Sequence, residues 1–258
     1  MFYVEQLRVR NGLLFTGLGL AAILLVTSVL AVGCPSLFGP SQCHGFSTSN
    51  AQTVLAIVGY SAALAAAIFA SIFGSSLAIE NDGHLEIVWT RPISRMRNAL
   101  GKLLIDVVAI VAVFTLCYAT GWLVVALLGD HPLNVSFDGQ STLKLARFLA
   151  FPLAWFGLTQ ALTAGIKGSW FGAIVGPLWP VCQGLFAVGL LPLPATWHKV
   201  WQIANIPNPI AYFPFWAFDE TFHVYEFGYG LVLDVIALAA IAIIGITLAT
   251  LRWRRLEA

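Results

Sequence analysis

Six long apolar runs, separated by polar segments, dominate the pattern of the chain. Each run reaches about 20 residues, the length that an α-helix needs to cross the hydrocarbon core of a bilayer. The pattern predicts spans at about 12–33, 51–79, 102–128, 142–166, 170–190 and 228–251. Because no linker divides the chain, we expect residues 1–258 to form a single transmembrane domain of the all-α class.

Two features interrupt this regular pattern near its end. The fifth span contains Pro177 and Pro180, which predict a kink that neighbouring helices must accommodate. After it, Trp197, Val200 and Trp201 recur at helical spacing. Tryptophan favours the headgroup boundary of a membrane, so we expect an aromatic interfacial or partly re-entrant segment between the fifth and sixth spans.

The distribution of Lys and Arg predicts the orientation of the spans. With the N-terminus inside, ten of the 13 cationic residues fall on inner segments, whereas Lys144, Arg147 and Lys199 fall outside. This asymmetry satisfies the positive-inside rule and places both termini in the cytoplasm. Lys144 and Arg147 lie within the fourth span, so they would have to snorkel towards the outer surface.

Composition agrees with a chain whose main solvent is lipid. Hydrophobic residues make up 59% of it and charged residues 10%, whereas soluble domains carry about 25% charged residues. The formal net charge is +1, and no basic and aromatic patch points to a nucleic-acid partner. We therefore expect an integral, multi-pass membrane protein.

The sequence lacks the usual motifs of enzymes and of metal or cofactor binding. Gly101-Lys102 is not a phosphate-binding loop, because Met96 occupies the position of the required upstream glycine. Neither H-E-x-x-H nor G-x-S-x-G occurs, and all five histidines fall in predicted loops. We expect no catalytic activity, no metal and no cofactor in this chain.

Two acidic residues fall within the predicted spans and are therefore candidates for function. They are Asp106, one helical turn from Lys102, and Asp234. Both lie near span ends, where a solvated or snorkelling role is favoured over a proton relay.

The cysteines divide into two kinds. Cys117 and Cys182 fall in apolar runs and are expected to be packing residues. Cys34 and Cys43 share one predicted outer loop, where oxidation is allowed, so a disulfide is expected there. Two free thiols are the alternative.

The longest charged interval lies between the second and third spans. Leu85, Val88 and Trp89 recur at the spacing of one helical face, and Pro92 ends the helix that they predict. Ser94 can then cap the helix that enters the membrane. The pattern predicts a short cytoplasmic helix between two spans.

The residues of this interval also carry a family resemblance. A small-residue helix ends at Glu80, and Gly83-x-Leu85-Glu86, Thr90-Arg-Pro-Ile-Ser-Arg95 and Gly101-Lys102 follow. This arrangement resembles the permease subunits of type-2 ATP-binding-cassette (ABC) exporters. The resemblance implies a coupling helix that docks on an ATP-binding subunit. Its candidate contact residues are Glu80, Gly83, Leu85, Glu86, Val88, Trp89, Arg91, Pro92 and Arg95.

The same resemblance implies a function and an assembly. Two permease protomers, identical or different, would join two ATP-binding subunits that hold ATP and Mg in the cell membrane of a prokaryote. The resemblance implies export, and the apolar and aromatic spans favour a hydrophobic or amphipathic substrate. Membrane lipid is the expected surrounding partner of the chain. The alternative is an ATP-independent ion-coupled carrier or a membrane scaffold, although a carrier usually has repeated halves with broken helices.

A six-helix bundle is too thin to enclose a wide pore, so we expect the path between two protomers. Small residues let helices approach closely in lipid, and they cluster on the second and fifth spans. The candidate residues of the path and dimer seam are Ser71, Gly74, Gly172, Gly176, Pro177 and Pro180.

Overall fold

The computed structural model of the protein describes residues 51–74, 77, 95–128, 139–164, 200, 203–204, 206–212 and 230–255. These residues form helices α1 (Ala51–Phe73), α2 (Arg95–Leu128), α3 (Gly139–Thr163) and α4 (Leu231–Arg255), with a 3₁₀ helix at Pro209–Tyr212. This part of the chain is all helical, as predicted. The predicted first and fifth spans lie outside it.

Three of the described helices are long and apolar enough to cross a membrane. Their apolar stretches are Ala99–Leu123, Ser141–Thr163 and Leu231–Arg254, and α1 adds a shorter one at Val58–Ser71. Large apolar side chains point away from the bundle, with Leu104 67% and Ile243 66% exposed. Such surfaces suit lipid, so the structure supports a membrane protein.

The starts of α1 and α2 can be compared with the predicted spans. α2 begins at Arg95, directly after the predicted capping residue Ser94 and seven residues before the predicted span at about 102. The first turns of α2 are therefore basic. α1 begins at Ala51, as predicted.

Exposed hydroxyl groups in the spans are satisfied within their own helices. Thr115 donates to the carbonyl of Val111 at 2.8 Å, and Thr247 donates to that of Ile243 at 2.7 Å. A hydroxyl facing lipid finds no water, so this bond to the preceding turn removes the cost of an unsatisfied donor.

α3 lies at the centre of the described bundle. α4 packs chiefly on α3, whereas α1 packs on both α2 and α3. α1 and α2 are antiparallel, because Val58 in the first half of α1 lies against Gly121 near the end of α2. The end of α1 and the beginning of α2 therefore lie at the same end of the bundle.

α3 runs parallel to both of its main neighbours. Tyr60 of α1 meets Phe148 of α3, with ring centroids 5.0 Å apart, and the next contacts follow in the same order along both helices. Arg147 near the start of α3 meets Asp234 near the start of α4. Because α3 and α4 are parallel, the chain between them has to return from one end of the bundle to the other.

The backbones of α3 and α4 come into contact at a glycine crossing formed by Gly157 and Gly245. A Cβ atom placed on Gly157 would lie 2.6 Å from the carbonyl oxygen of Ala242, and one on Gly245 would overlap the backbone of Gly157. In lipid, close packing of this kind is a main favourable term for helix association, because the hydrophobic effect between helices is absent.

Candidate functional site: a polar junction where three helices meet

Polar side chains join α1 to α3 inside the bundle. The indole Nε1 of Trp155 donates to Ser71 Oγ at 2.7 Å, and Ser71 in turn donates to the carbonyl of Ala67 at 2.9 Å. Both side chains are buried. Ser71 thus acts as donor and acceptor, and it fixes the height of α3 against α1.

One turn further on, α3 caps the end of α1. Gln160 Nε2 donates to the carbonyl of Phe73 at 3.3 Å, and Thr163 Oγ1 lies 2.9 Å from the carbonyls of Gly74 and Thr159, which share its proton. The last carbonyls of a helix have no partners within it. Gln160 and Thr163, both fully buried, provide those partners here.

α4 contacts the C-terminal end of α3 through an arginine side chain. Arg252 donates from Nη1 to the carbonyl of Ala161, in the last turn of α3. A cation at a helix C-terminus is favoured by the helix dipole as well as by the hydrogen bond. We call Phe73, Gly74, Gln160, Ala161, Thr163 and Arg252 the three-helix junction. It lies directly before the charged interval that follows α1.

Replacing Thr163 with valine keeps the shape of the side chain and removes the hydroxyl. We expect the free energy of unfolding in mixed detergent micelles to fall by about 1–3 kcal/mol, because the buried carbonyl of Gly74 loses its donor. Thr247→Val is the matched control, since the Thr247 hydroxyl is exposed and bonds only within α4. Equal effects of the two variants would show that Thr163 does not hold α1.

The opposite end of α3 carries an ion pair. Arg147 Nη1 and Asp234 Oδ2 are 3.2 Å apart, and their side chains are 15% and 17% exposed. A carboxylate on the neighbouring helix therefore neutralises Arg147, a partner that the sequence analysis did not identify, and the expected outward snorkelling stays a prediction. Lys144, one turn earlier, is exposed.

Asp106 differs from its predicted environment. A solvated or snorkelling carboxylate was expected, but Asp106 is 0% exposed and Lys102 is 8% exposed. The reason is that α2 begins at Arg95, so Asp106 lies three turns inside the helix rather than near its end.

The residues predicted for the coupling helix lie mostly outside the described part of the chain. These are Glu80, Gly83, Leu85, Glu86, Val88, Trp89, Arg91 and Pro92. Arg95 is the first residue of α2. Cys34 and Cys43 also lie outside, so the predicted disulfide stays a prediction, whereas Cys117 is a buried free thiol.

The structure places two of the predicted seam residues within one protomer. Ser71 packs on Trp155, and a Cβ atom on Gly74 would lie 2.6 Å from Thr159 Cγ2. Both small residues thus allow close approach, as predicted, but of α3 in the same chain. Gly172, Gly176, Pro177 and Pro180 lie outside the described residues, and the dimer seam stays a prediction.

Sequence reasoning missed the α3 side of the junction. Trp155, Thr159 and Thr163 recur every four residues, which places them on one face of α3, with Gln160 beside them. A polar stripe along an otherwise apolar span was the available signal for a buried helix contact. Nothing local in the sequence indicated that Arg252 completes it.

Within the described ranges, no three His, Cys, Asp or Glu side chains lie close enough to hold a metal ion. Comparison of the chain with protein-family models, with curated proteins and with solved structures finds no match.

Proposed function

We propose that this chain is the permease subunit of an ABC exporter. The observation that carries the proposal is the position of the family-like sequence Thr90-Arg-Pro-Ile-Ser-Arg95. It lies between α1 and α2 in the chain, and because these helices are antiparallel neighbours, the end of α1 and the beginning of α2 lie at one end of the described bundle. A segment in that place is available to a subunit outside the membrane.

The charge distribution supports a cytoplasmic position for that end. In the described helices, six cationic residues lie there, namely Arg95, Arg97, Lys102, Arg252, Arg254 and Arg255, and only Lys144 and Arg147 lie at the other end. Arg147 is neutralised by Asp234. Cationic residues are enriched on the cytoplasmic side of membrane proteins, where a soluble ATPase would dock.

The helix directions support six spans. α1, α3 and α4 are parallel and α2 is antiparallel, which is the order expected if they are the second, fourth, sixth and third spans. Two parallel spans need an odd number of crossings between them. The apolar run at about 170–190 supplies one such crossing in the proposed topology.

In this proposal the chain is passive and ATP hydrolysis drives it. Two copies of an ATP-binding subunit would hold ATP and Mg, and two permeases would form the path for a hydrophobic or amphipathic substrate. The cell membrane of a prokaryote is the proposed location. Since Ser71 and Gly74 pack within the protomer, the seam prediction now rests chiefly on the fifth span.

One observation favours a second candidate, an ion-coupled carrier. Asp106 and Lys102 are one turn apart and both are buried in a span, and an intramembrane carboxylate is a candidate for ion or proton coupling. In a carrier, Asp106→Asn would abolish gradient-driven transport without any ATPase. In an ABC permease, transport would need ATP at every ion gradient.

Replacing Leu85 and Trp89 with alanine tests the ABC proposal. In the complex with an ATP-binding subunit that copurifies with the tagged chain, we expect the double variant to weaken docking about 30-fold and to lose stimulation of ATPase activity. Two apolar interface anchors together contribute on the order of 2 kcal/mol or more. ATP hydrolysis and substrate transport in proteoliposomes are the measurements.

The matched control removes one leucine and one tryptophan from the lipid-facing side of α2. Leu104 and Trp122 are both exposed there, and their double alanine variant should keep normal ATPase stimulation. Full stimulation and transport in the Leu85 and Trp89 variant would contradict the coupling role. Absence of any ATP-binding subunit and of ATP-dependent transport in the wild type would overturn the proposed function itself.

A further inference from the structure

The last turns of α4 present an apolar stripe that ends in cationic groups. Ile244, Leu248 and Leu251 are 57%, 46% and 49% exposed, and their spacing places them on one helical face. Arg252 continues this face, and Arg254 is exposed in the same turn. From Ile244 to Arg252 the stripe runs about 12 Å along the helix axis. These five residues are called the basic stripe.

The charged end of the basic stripe is held in place rather than loose. Arg252 is anchored by its bond to the carbonyl of Ala161, and Trp253 between the two arginines is buried against the bundle. Tryptophan near the end of a span is typical of the headgroup level of a bilayer. One guanidinium group, that of Arg252, is therefore held at the end of the span where headgroups are expected, and Arg254 lies in the same turn.

A second helix at the same end of the bundle also has exposed apolar residues that lead to an arginine. On α2, the exposed Leu104 and Leu100 lead towards the exposed Arg97. At the opposite end, Arg147 is paired with Asp234. The cationic surface is thus concentrated where apolar, lipid-facing stripes end.

We infer that the basic stripe binds an anionic phospholipid. One acyl chain lies along Ile244, Leu248 and Leu251, and the phosphate accepts hydrogen bonds from Arg252, whose planar group suits phosphate oxygens. Arg254, on the other flank of the stripe, adds a second positive charge near the anionic headgroup. A docked soluble subunit would not use Ile244, two turns inside the span, so the length of the stripe favours lipid over protein. This inference requires membrane insertion but not the ABC function.

Replacing Arg254 with glutamine, alone and together with Arg252→Gln, tests the inference. The protein is extracted from nanodiscs of equal phosphatidylglycerol and phosphatidylcholine, and the bound lipids are counted by native mass spectrometry. Each arginine near an anionic surface contributes about a fivefold preference. We expect the ratio of bound phosphatidylglycerol to phosphatidylcholine to fall about fivefold in the single variant and about 25-fold in the double variant.

Lys144→Gln, at the opposite end of the bundle, is the control and should leave the ratio unchanged. Because Arg252→Gln also removes the bond to Ala161, the single Arg254 variant keeps the test independent of folding. An unchanged ratio in both arginine variants overturns the inference, and so does an equal fall in the Lys144 variant. Displacement of the bound lipid by millimolar glycerol phosphate would also overturn the inference, because it would show that the acyl chain is not needed. The inference would fail as well if the arginine variants lost binding of the ATP-binding subunit but kept the ratio of phosphatidylglycerol to phosphatidylcholine.

Discussion

Replacing Gly245 with alanine is expected to lower the free energy of unfolding by about 1–3 kcal/mol, or more if the helices cannot separate. The added methyl group would overlap the backbone of Gly157, and a backbone cannot rotate away as a flexible side chain does. α4 must then move off α3, which loosens the most extensive helix contact in the described bundle. Denaturation in mixed detergent micelles, followed by tryptophan fluorescence, measures the change.

Gly139→Ala is the matched control for this variant. A Cβ atom on Gly139 meets nothing within 4 Å, so the same substitution should be neutral there or slightly stabilising through helix propensity. Gly157→Ala should behave like Gly245→Ala, because both glycines belong to one crossing. If both crossing variants proved as stable as the control, α3 and α4 would not meet at these glycines.

The second large effect is expected at the ion pair between α3 and α4. Arg147→Met and Asp234→Leu should each destabilise the bundle by about 3–5 kcal/mol, because each leaves one charge without its partner in a place that is mostly closed to water. The double variant should recover most of that loss, since it leaves no charge to bury. Equilibrium unfolding of the wild type, the two single variants and the double variant gives a double-mutant cycle, which measures the interaction energy of the pair.

Lys144→Met is the control for removing a cation from the same helix. Lys144 is exposed, and its loss should change stability by less than about 0.5 kcal/mol. If the effects of Arg147→Met and Asp234→Leu simply added in the double variant, the two side chains would not interact.

The positions of the described spans could be predicted because the signals are local. A run of apolar residues long enough for a bilayer needs no knowledge of the rest of the fold. The sequence pattern therefore identified the regions of helices α1 to α4, whereas most of the helix ends differ from the predicted span ends by three to seven residues.

The partners of particular side chains could not be predicted in this way. The small residues Ser71 and Gly74 indicated a face for close packing, but periodicity does not say which helix covers it. Arg147 looked like a misplaced charge, because its partner lies 87 residues further along the chain. Long-range pairing and the three-helix junction depend on the order in which helices assemble around α3, which no short window of sequence contains.

That separation of 87 residues also bears on how the protein is made. Ribosomes add about 5–20 residues per second, so roughly 4–17 s pass between synthesis of Arg147 and that of Asp234. During this time α3 has to enter the membrane with an unneutralised guanidinium group, and it cannot yet dock against α4. The position of α3 in the membrane is therefore not stabilised by this ion pair until α4 has been synthesised. Quality-control proteases can recognise the incomplete chain during the same interval.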